Sequence, residues 1–241
     1  MIDVEEQFNF CVNEIGGRKI SELIGLSPTF LNADYLFPQY EVIAELKCLE
    51  DDLIKSTQIR NKATAIYTRY EKEGSAPKLS PGIHKVTADG LPESFKHELV
   101  ELYRSAVHTT VKKSNNQIRA TKENLNLKNH HGLLILANNN NTALNPKTAM
   151  WILSETFRRY SFSSINSVLY LTANLKARHP EIPRDLFVWI PCHRDPSNKC
   201  LPQLLSRLQK SWFKRVNLIT GEPVYIYQAE KSDVINDIYN T

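Results

Sequence analysis

Apolar positions fall first at helical spacing. Phe8, Cys11, Val12 and Ile15 form one stripe of a helix over residues 3 to 15, and Gly16-Gly17 ends it. Residues 18 to 32 fit a first strand or a short helix. The pattern then changes period: Asn32 to Phe37 and Glu41 to Leu49 are short, nearly continuous apolar runs separated by Pro38, which predicts two strands joined by a turn. Glu50-Asp51-Asp52 reads as the first turn of a helix from about 51 to 72, carrying Leu53, Ile59, Ala63, Ile66 and Tyr70. Pro77, Pro81, Gly82 and Gly90 mark 74 to 91 as a connecting loop. A second long helix follows from Glu93 to about Lys128, with Phe95, Leu99, Leu102, Tyr103, Ala106 and Val107 on its stripe and a break near Ser114-Asn115-Asn116.

Gly132 to Asn138 is the strongest buried-strand signal in the chain. Asparagines 138 to 141 make a polar turn, and Asn145-Pro146 caps a helix to about Tyr160. Ile165 to Thr172 and Leu186 to Ile190 read as two further strands, Leu201 to Arg215 as a basic helix with Leu204, Leu205, Leu208 and Trp212 buried, and Val224 to Tyr227 as a last edge strand. Alternating strands and helices of this kind predict an α/β fold with a mixed sheet. The two long helices stand as an insertion, about 51–128, in a single domain spanning 1–241.

Charge inside the second apolar run changes the picture. Successive side chains of a strand face opposite ways, so Glu45 and Lys47 share a face while Leu46 points away. Val42, Ile43, Ala44, Leu46, Cys48 and Leu49 make the surroundings apolar on both faces, where a charge is costly unless it is paired or holds a metal. An antiparallel return from the preceding strand brings Asp34 beside Glu45. Two carboxylates suit Mg²⁺, which is usually held by one or two acids together with substrate phosphate. A neighbouring lysine orients or deprotonates water, or offsets charge developing on phosphate. A plain Glu45–Lys47 ion pair on the sheet is the competing reading.

Asp34, followed after ten intervening residues by Glu45-Leu46-Lys47, resembles the PD-(D/E)xK nuclease superfamily. Ala33 stands where that family ordinarily has proline. The resemblance implies a restriction-endonuclease-like core of a helix, three meandering strands, a helix and a further strand, with Asp34, Glu45 and Lys47 catalytic and the backbone carbonyl of Leu46 a third metal ligand. It implies an acid from the opening helix, for which Glu14 is the candidate, although a solvated helix carboxylate is the stronger reading of that residue. Because the 132–138 strand takes the place of the one after the second core helix, Gln117 and Lys122 become candidate accessory contacts to phosphate or water, with ordinary surface positions the stronger reading. The implied activity is Mg²⁺-dependent endonucleolytic hydrolysis of DNA, ahead of RNA, with Mn²⁺ able to substitute, in restriction, repair or defence. The runner-up is a non-cleaving nuclease-fold module for binding or regulation, such as an immunity or assembly protein.

The formal charge of +4 does not by itself announce a nucleic-acid binder, but basic residues recur at Lys112-Lys113, Arg119 to Lys122, Arg158-Arg159, Lys176 to Arg178 and Lys210 to Arg215. Cutting both strands of a duplex suggests a homodimer. Four cysteines at this length, no leading basic-then-apolar segment and no apolar run of membrane-spanning length suggest a reducing, cytoplasmic setting without a membrane. Cys192, His193 and Cys200 fall one ligand short of structural zinc, His130-His131 reads as packing, and no phosphate-cradling glycine loop occurs.

Overall fold

The computed structural model describes residues 1–25, 28–49, 57–80, 90–195, 199–221 and 239–240. In chain order its elements are α1 (Val4–Glu14), β1 (Arg18–Lys19), α2 (Ile20–Ile24), β2 (Tyr35–Phe37), β3 (Val42–Leu49), α3 (Thr57–Lys72), α4 (Glu93–Asn124), β4 (His131–Asn138), α5 (Pro146–Arg159), β5 (Ser167–Thr172), β6 (Ala177–His179), β7 (Ile182–Leu186), β8 (Trp189–His193), α6 (Cys200–Thr220) and β9 (Tyr239–Asn240).

The two apolar runs around Pro38 pair with each other. β2 lies antiparallel to β3, Tyr35 opposite Ala44 and Phe37 opposite Val42, across a 3₁₀ turn at Pro38–Tyr40. β1 adds antiparallel outside β2, β4 runs parallel to β3, β5 parallel to β4, and β8 closes the far edge antiparallel to β5. The result is a six-stranded mixed sheet in the order β1-β2-β3-β4-β5-β8, beside a small sheet β7-β6-β9.

Alternation along the strands divides the core in two. Val42, Ala44 and Leu46 of β3 pack with Phe8, Cys11 and Val12 of α1 and with Leu204, Leu208 and Trp212 of α6. Ile43 faces the other way, with Val107, Val111 and Ile118 of α4 and Ile152 and Leu153 of α5. Helices therefore cover both faces of the sheet, and the long α4 is an insertion between β3 and β4. Its first half forms a separate cluster with α3, in which Phe95 meets Tyr67 and Tyr70 edge-on.

Three expectations change. α4 runs unbroken through Ser114-Asn115-Asn116 because those side chains have partners: Ser114 donates to the Thr110 carbonyl and Asn115 accepts from the Ser164 amide. The strand expected over Leu186 to Ile190 is instead the end of β7 and the start of β8, which belong to different sheets. The chain between α1 and β2 uses both offered alternatives, a two-residue strand (β1) and then a short helix (α2). The acidic helix start at 50–52 and the edge strand at 224–227 lie outside the described residues. The asparagine cap is as expected, Asn145 Oδ1 accepting from Thr148 N at 2.8 Å. No helix among the described residues is long and apolar enough to cross a membrane.

Gly132 marks where β4 meets the chain before β5. A β-carbon there would sit 1.8 Å from the Ser164 carbonyl oxygen, which cannot move freely because Asn115 and Lys122 of α4 hold the same residue. Gly132→Ala is expected to destabilise the fold by roughly 1–3 kcal/mol, read as a lower urea midpoint at unchanged slope.

Candidate functional site

Leu36 and Ile43 both face α4 and α5, so period-two alternation sends Asp34, Glu45 and Lys47 to that same face. Asp34 N donates to the Ala44 carbonyl at 3.2 Å, extending the pairing of β2 with β3 by one residue. The Asp34 side chain then bends over β3, its Oδ2 accepting from Leu46 N at 2.8 Å. Amide and carbonyl of one strand residue face the same neighbouring strand, so the Leu46 carbonyl is turned towards the Asp34 side of β3.

Glu45 has no exposed surface. Its neighbours are charges. The Lys47 ammonium forms an ion pair with Oε1, the lysine side chain remaining about one-third exposed. The Asp34 carboxyl lies close enough to share a hydrogen bond with Glu45 when one of the two is protonated. Burial raises the Glu45 pKa from 4.5 to about 8, the Asp34 charge adds to the rise, and Lys47 opposes it. Burial also raises Asp34, against the pull of the Leu46 amide and Lys47.

Two carboxyls this close cannot both ionise cheaply. Two buried acids against one lysine leave acceptor capacity over, of the kind a hard cation takes up. Among the described residues no group of three His, Cys, Asp or Glu side chains comes together. Asp34, Glu45 and the Leu46 carbonyl are the groups here that could hold a metal, and all are oxygen donors, a chemistry that suits Mg²⁺ or Mn²⁺ better than zinc.

The accessory candidates separate. Glu14 points to α6, on the opposite face of the sheet, where it accepts from Ser211 Oγ at 2.5 Å and Lys214 Nζ at 2.6 Å, contacts that hold its carboxyl below the usual range. Gln117 reaches the chain just before Asp34, its Nε2 donating to the Asn32 carbonyl at 3.1 Å. The Lys122 ammonium donates to the Ser164 carbonyl at 3.3 Å, and burial lowers its pKa. Thr121, which sequence reasoning passed over, accepts from Ala33 N at 2.8 Å. Its signal was spacing: Val107, Val111, Ser114, Ile118 and Thr121 are buried at alternating intervals of four and three, so the stripe continues through the polar residues.

Elsewhere, acids already balance much of the basic charge. Arg158 and Arg159 pair with Glu155, Arg159 also with Glu101, Lys176 and Arg178 with Asp185, and Lys214 with Glu14, whereas Lys112 and Lys113 of α4 are exposed. His193 Nδ1 lies 2.8 Å from Ser167 Oγ, and burial pushes the Cys192 thiol up. No family model, no curated protein and no solved structure matches the chain.

The Glu45 shift makes stability depend on pH. Between pH 4.5 and about 8 the folded protein holds a proton that the unfolded chain has released, so this contribution is complete below that window and is lost as pH rises through it. In EDTA, the melting temperature of the wild type should fall across the window. Glu45→Gln should flatten the slope and raise the melting temperature at the alkaline end, by ~2–4 °C for each kcal/mol recovered. An unchanged slope in the variant would place the titration elsewhere.

Proposed function

We propose that the chain is a metal-dependent deoxyribonuclease of the PD-(D/E)xK type. The observation that carries this is the fully buried Glu45 carboxyl, set beside a second acid, Asp34, with the Lys47 ammonium as its ion-pair partner. The element order gives independent support for a restriction-endonuclease-like core. An opening helix (α1), an antiparallel meander (β1 to β3), a helix across the sheet (α4) and a strand parallel to β3 (β4) follow in the sequence the resemblance implies.

In this proposal Asp34, Glu45 and the Leu46 carbonyl would hold a Mg²⁺ ion, which when bound would polarise the scissile phosphate and lower the pKa of water. Asp34 accepts from the Leu46 amide, which fixes its carboxylate over β3 and leaves its other oxygen for the ion. Glu45 would take part as its carboxylate, releasing to solvent the proton that burial makes it keep without metal. Lys47, long enough to leave Glu45 and partly exposed already, places its ammonium against the phosphate, where it offsets the growing charge and aligns the attacking water. The exposed Lys112 and Lys113 offer backbone contacts to DNA. Cutting both strands of a duplex calls for a second site, supplied by a two-fold related copy.

Asp34→Asn, Glu45→Gln and Lys47→Ala should each lower Mg²⁺-dependent cleavage of plasmid and single-stranded DNA by ~100-fold or more while leaving the circular-dichroism spectrum unchanged. The wild type should be silent in EDTA and active again in Mn²⁺. Full activity in all three variants would remove this site as the basis of hydrolysis. Tight DNA binding by the wild type without cleavage in either metal would favour a binding or regulatory module on the same fold.

A further inference from the structure

β2 is only three residues long, and Asp34 lies just before it. The Asp34 amide and carbonyl are bonded to Ala44 and Ile20, so it is the chain just ahead of it, Asn32–Ala33, that is held by contacts other than strand pairing. We infer that Thr121, assisted by Gln117, is a positioning residue that fixes the Asn32–Asp34 peptide to α4 and so keeps the Asp34 carboxylate within reach of Glu45.

The inference rests on the metal-dependent reading of the site and goes beyond it in assigning a role to α4. Backbone groups of the three residues are bonded from several sides. The Asn32 carbonyl accepts from Gln117 Nε2 at 3.1 Å, and Ala33 N donates to Thr121 Oγ1 at 2.8 Å. The Ala33 carbonyl accepts from Asn32 Nδ2 at 2.9 Å. Asp34 N donates to Ala44, and its carbonyl accepts from Ile20 N at 2.9 Å. Of these, the Gln117 and Thr121 bonds are the ones made to α4. Thr121 has no exposed surface, and its hydroxyl donates to the Gln117 carbonyl at 2.9 Å, which leaves an oxygen lone pair for Ala33. Ala33 is itself fully buried, so its amide has no water to turn to.

The departure from the family pattern fits the same contact. A proline at position 33 would have no N–H to offer Thr121, whereas alanine supplies it. A displacement of about 1 Å in a metal-holding group is enough to lower a rate by ~100-fold, so a peptide anchor of this kind acts on the chemistry without touching substrate.

Thr121→Val keeps the shape and removes the hydroxyl, and Thr121→Ser keeps the hydroxyl and removes a methyl group. Calorimetric Mn²⁺ binding without DNA and single-turnover cleavage across a Mg²⁺ titration are the readouts. Thr121→Val should raise the half-saturating metal concentration about tenfold and slow cleavage at saturating metal, with DNA affinity unchanged, and Thr121→Ser should return both to within about twofold of the wild type. Wild-type behaviour of Thr121→Val would overturn the positioning role while leaving the nuclease reading intact. Equal impairment of the valine and serine variants would overturn it in favour of packing alone. A wild type that neither binds Mn²⁺ nor cleaves would remove the metal site, and this inference with it. Should the valine variant fail to fold, Gln117→Leu breaks only the Asn32 bond and should show a smaller shift in the same direction; no shift would overturn the role.

Discussion

A carboxyl held at the centre of a sheet, shut off from water beside a second acid, is the constraint around which this molecule is arranged. Glu45 is flanked along β3 by apolar residues on both faces, and the strand lies between β2 and β4. Desolvation makes its charge expensive, Asp34 makes it more so, and one lysine on the same strand gives partial relief. A fold that only needed stability would do as well or better with a buried aliphatic residue there. Keeping an acid pair in so costly a place makes sense where both acids act on something that binds, and oxygen donors of this kind suit a small divalent cation.

The surrounding architecture serves that pair. α1 and α6 close the opposite face with a largely apolar layer. On the near face α4 contributes polar side chains as well as apolar ones. Gln117 and Thr121 tie down the peptide before Asp34, while Asn115 and Lys122 tie down Ser164, whose carbonyl rests on Gly132 of the adjacent strand. One helix thus fixes the approach to the site strand and the approach to β5.

Much of this arrangement is legible in the amino-acid order because strands repeat every two residues. The shared face of Glu45 and Lys47, the turn at Pro38 and the return that brings Asp34 to Glu45 all follow from local alternation, and the paired strands lie as that alternation requires. The sequence of β strands and helices likewise yields the mixed sheet and the insertion between β3 and β4. What could not be read depends on contacts between distant segments. Glu14 lies on a helix stripe boundary, and only the packing of α1 on α6 turns it to Lys214 and away from the site. Ser114 and Asn115 look like a helix interruption when judged by polarity alone, and nothing in the polarity of Thr121 marks it as buried. They are buried because each meets a specific partner, two of them from chain segments tens of residues away. The division of 182–193 between two sheets is of the same nature, since a run of apolar residues does not say which neighbour it will pair with.

The most direct test is a crystal soaked in Mn²⁺ and examined by anomalous scattering. A single peak between Asp34 and Glu45, about 2.0–2.2 Å from an oxygen of each and close to the Leu46 carbonyl, with the Lys47 ammonium released from Glu45, is the result expected of a hard-cation site. Unchanged contact between Glu45 and Lys47 at saturating Mn²⁺, with no peak between the two acids, would contradict it and leave the pair as an internal salt bridge.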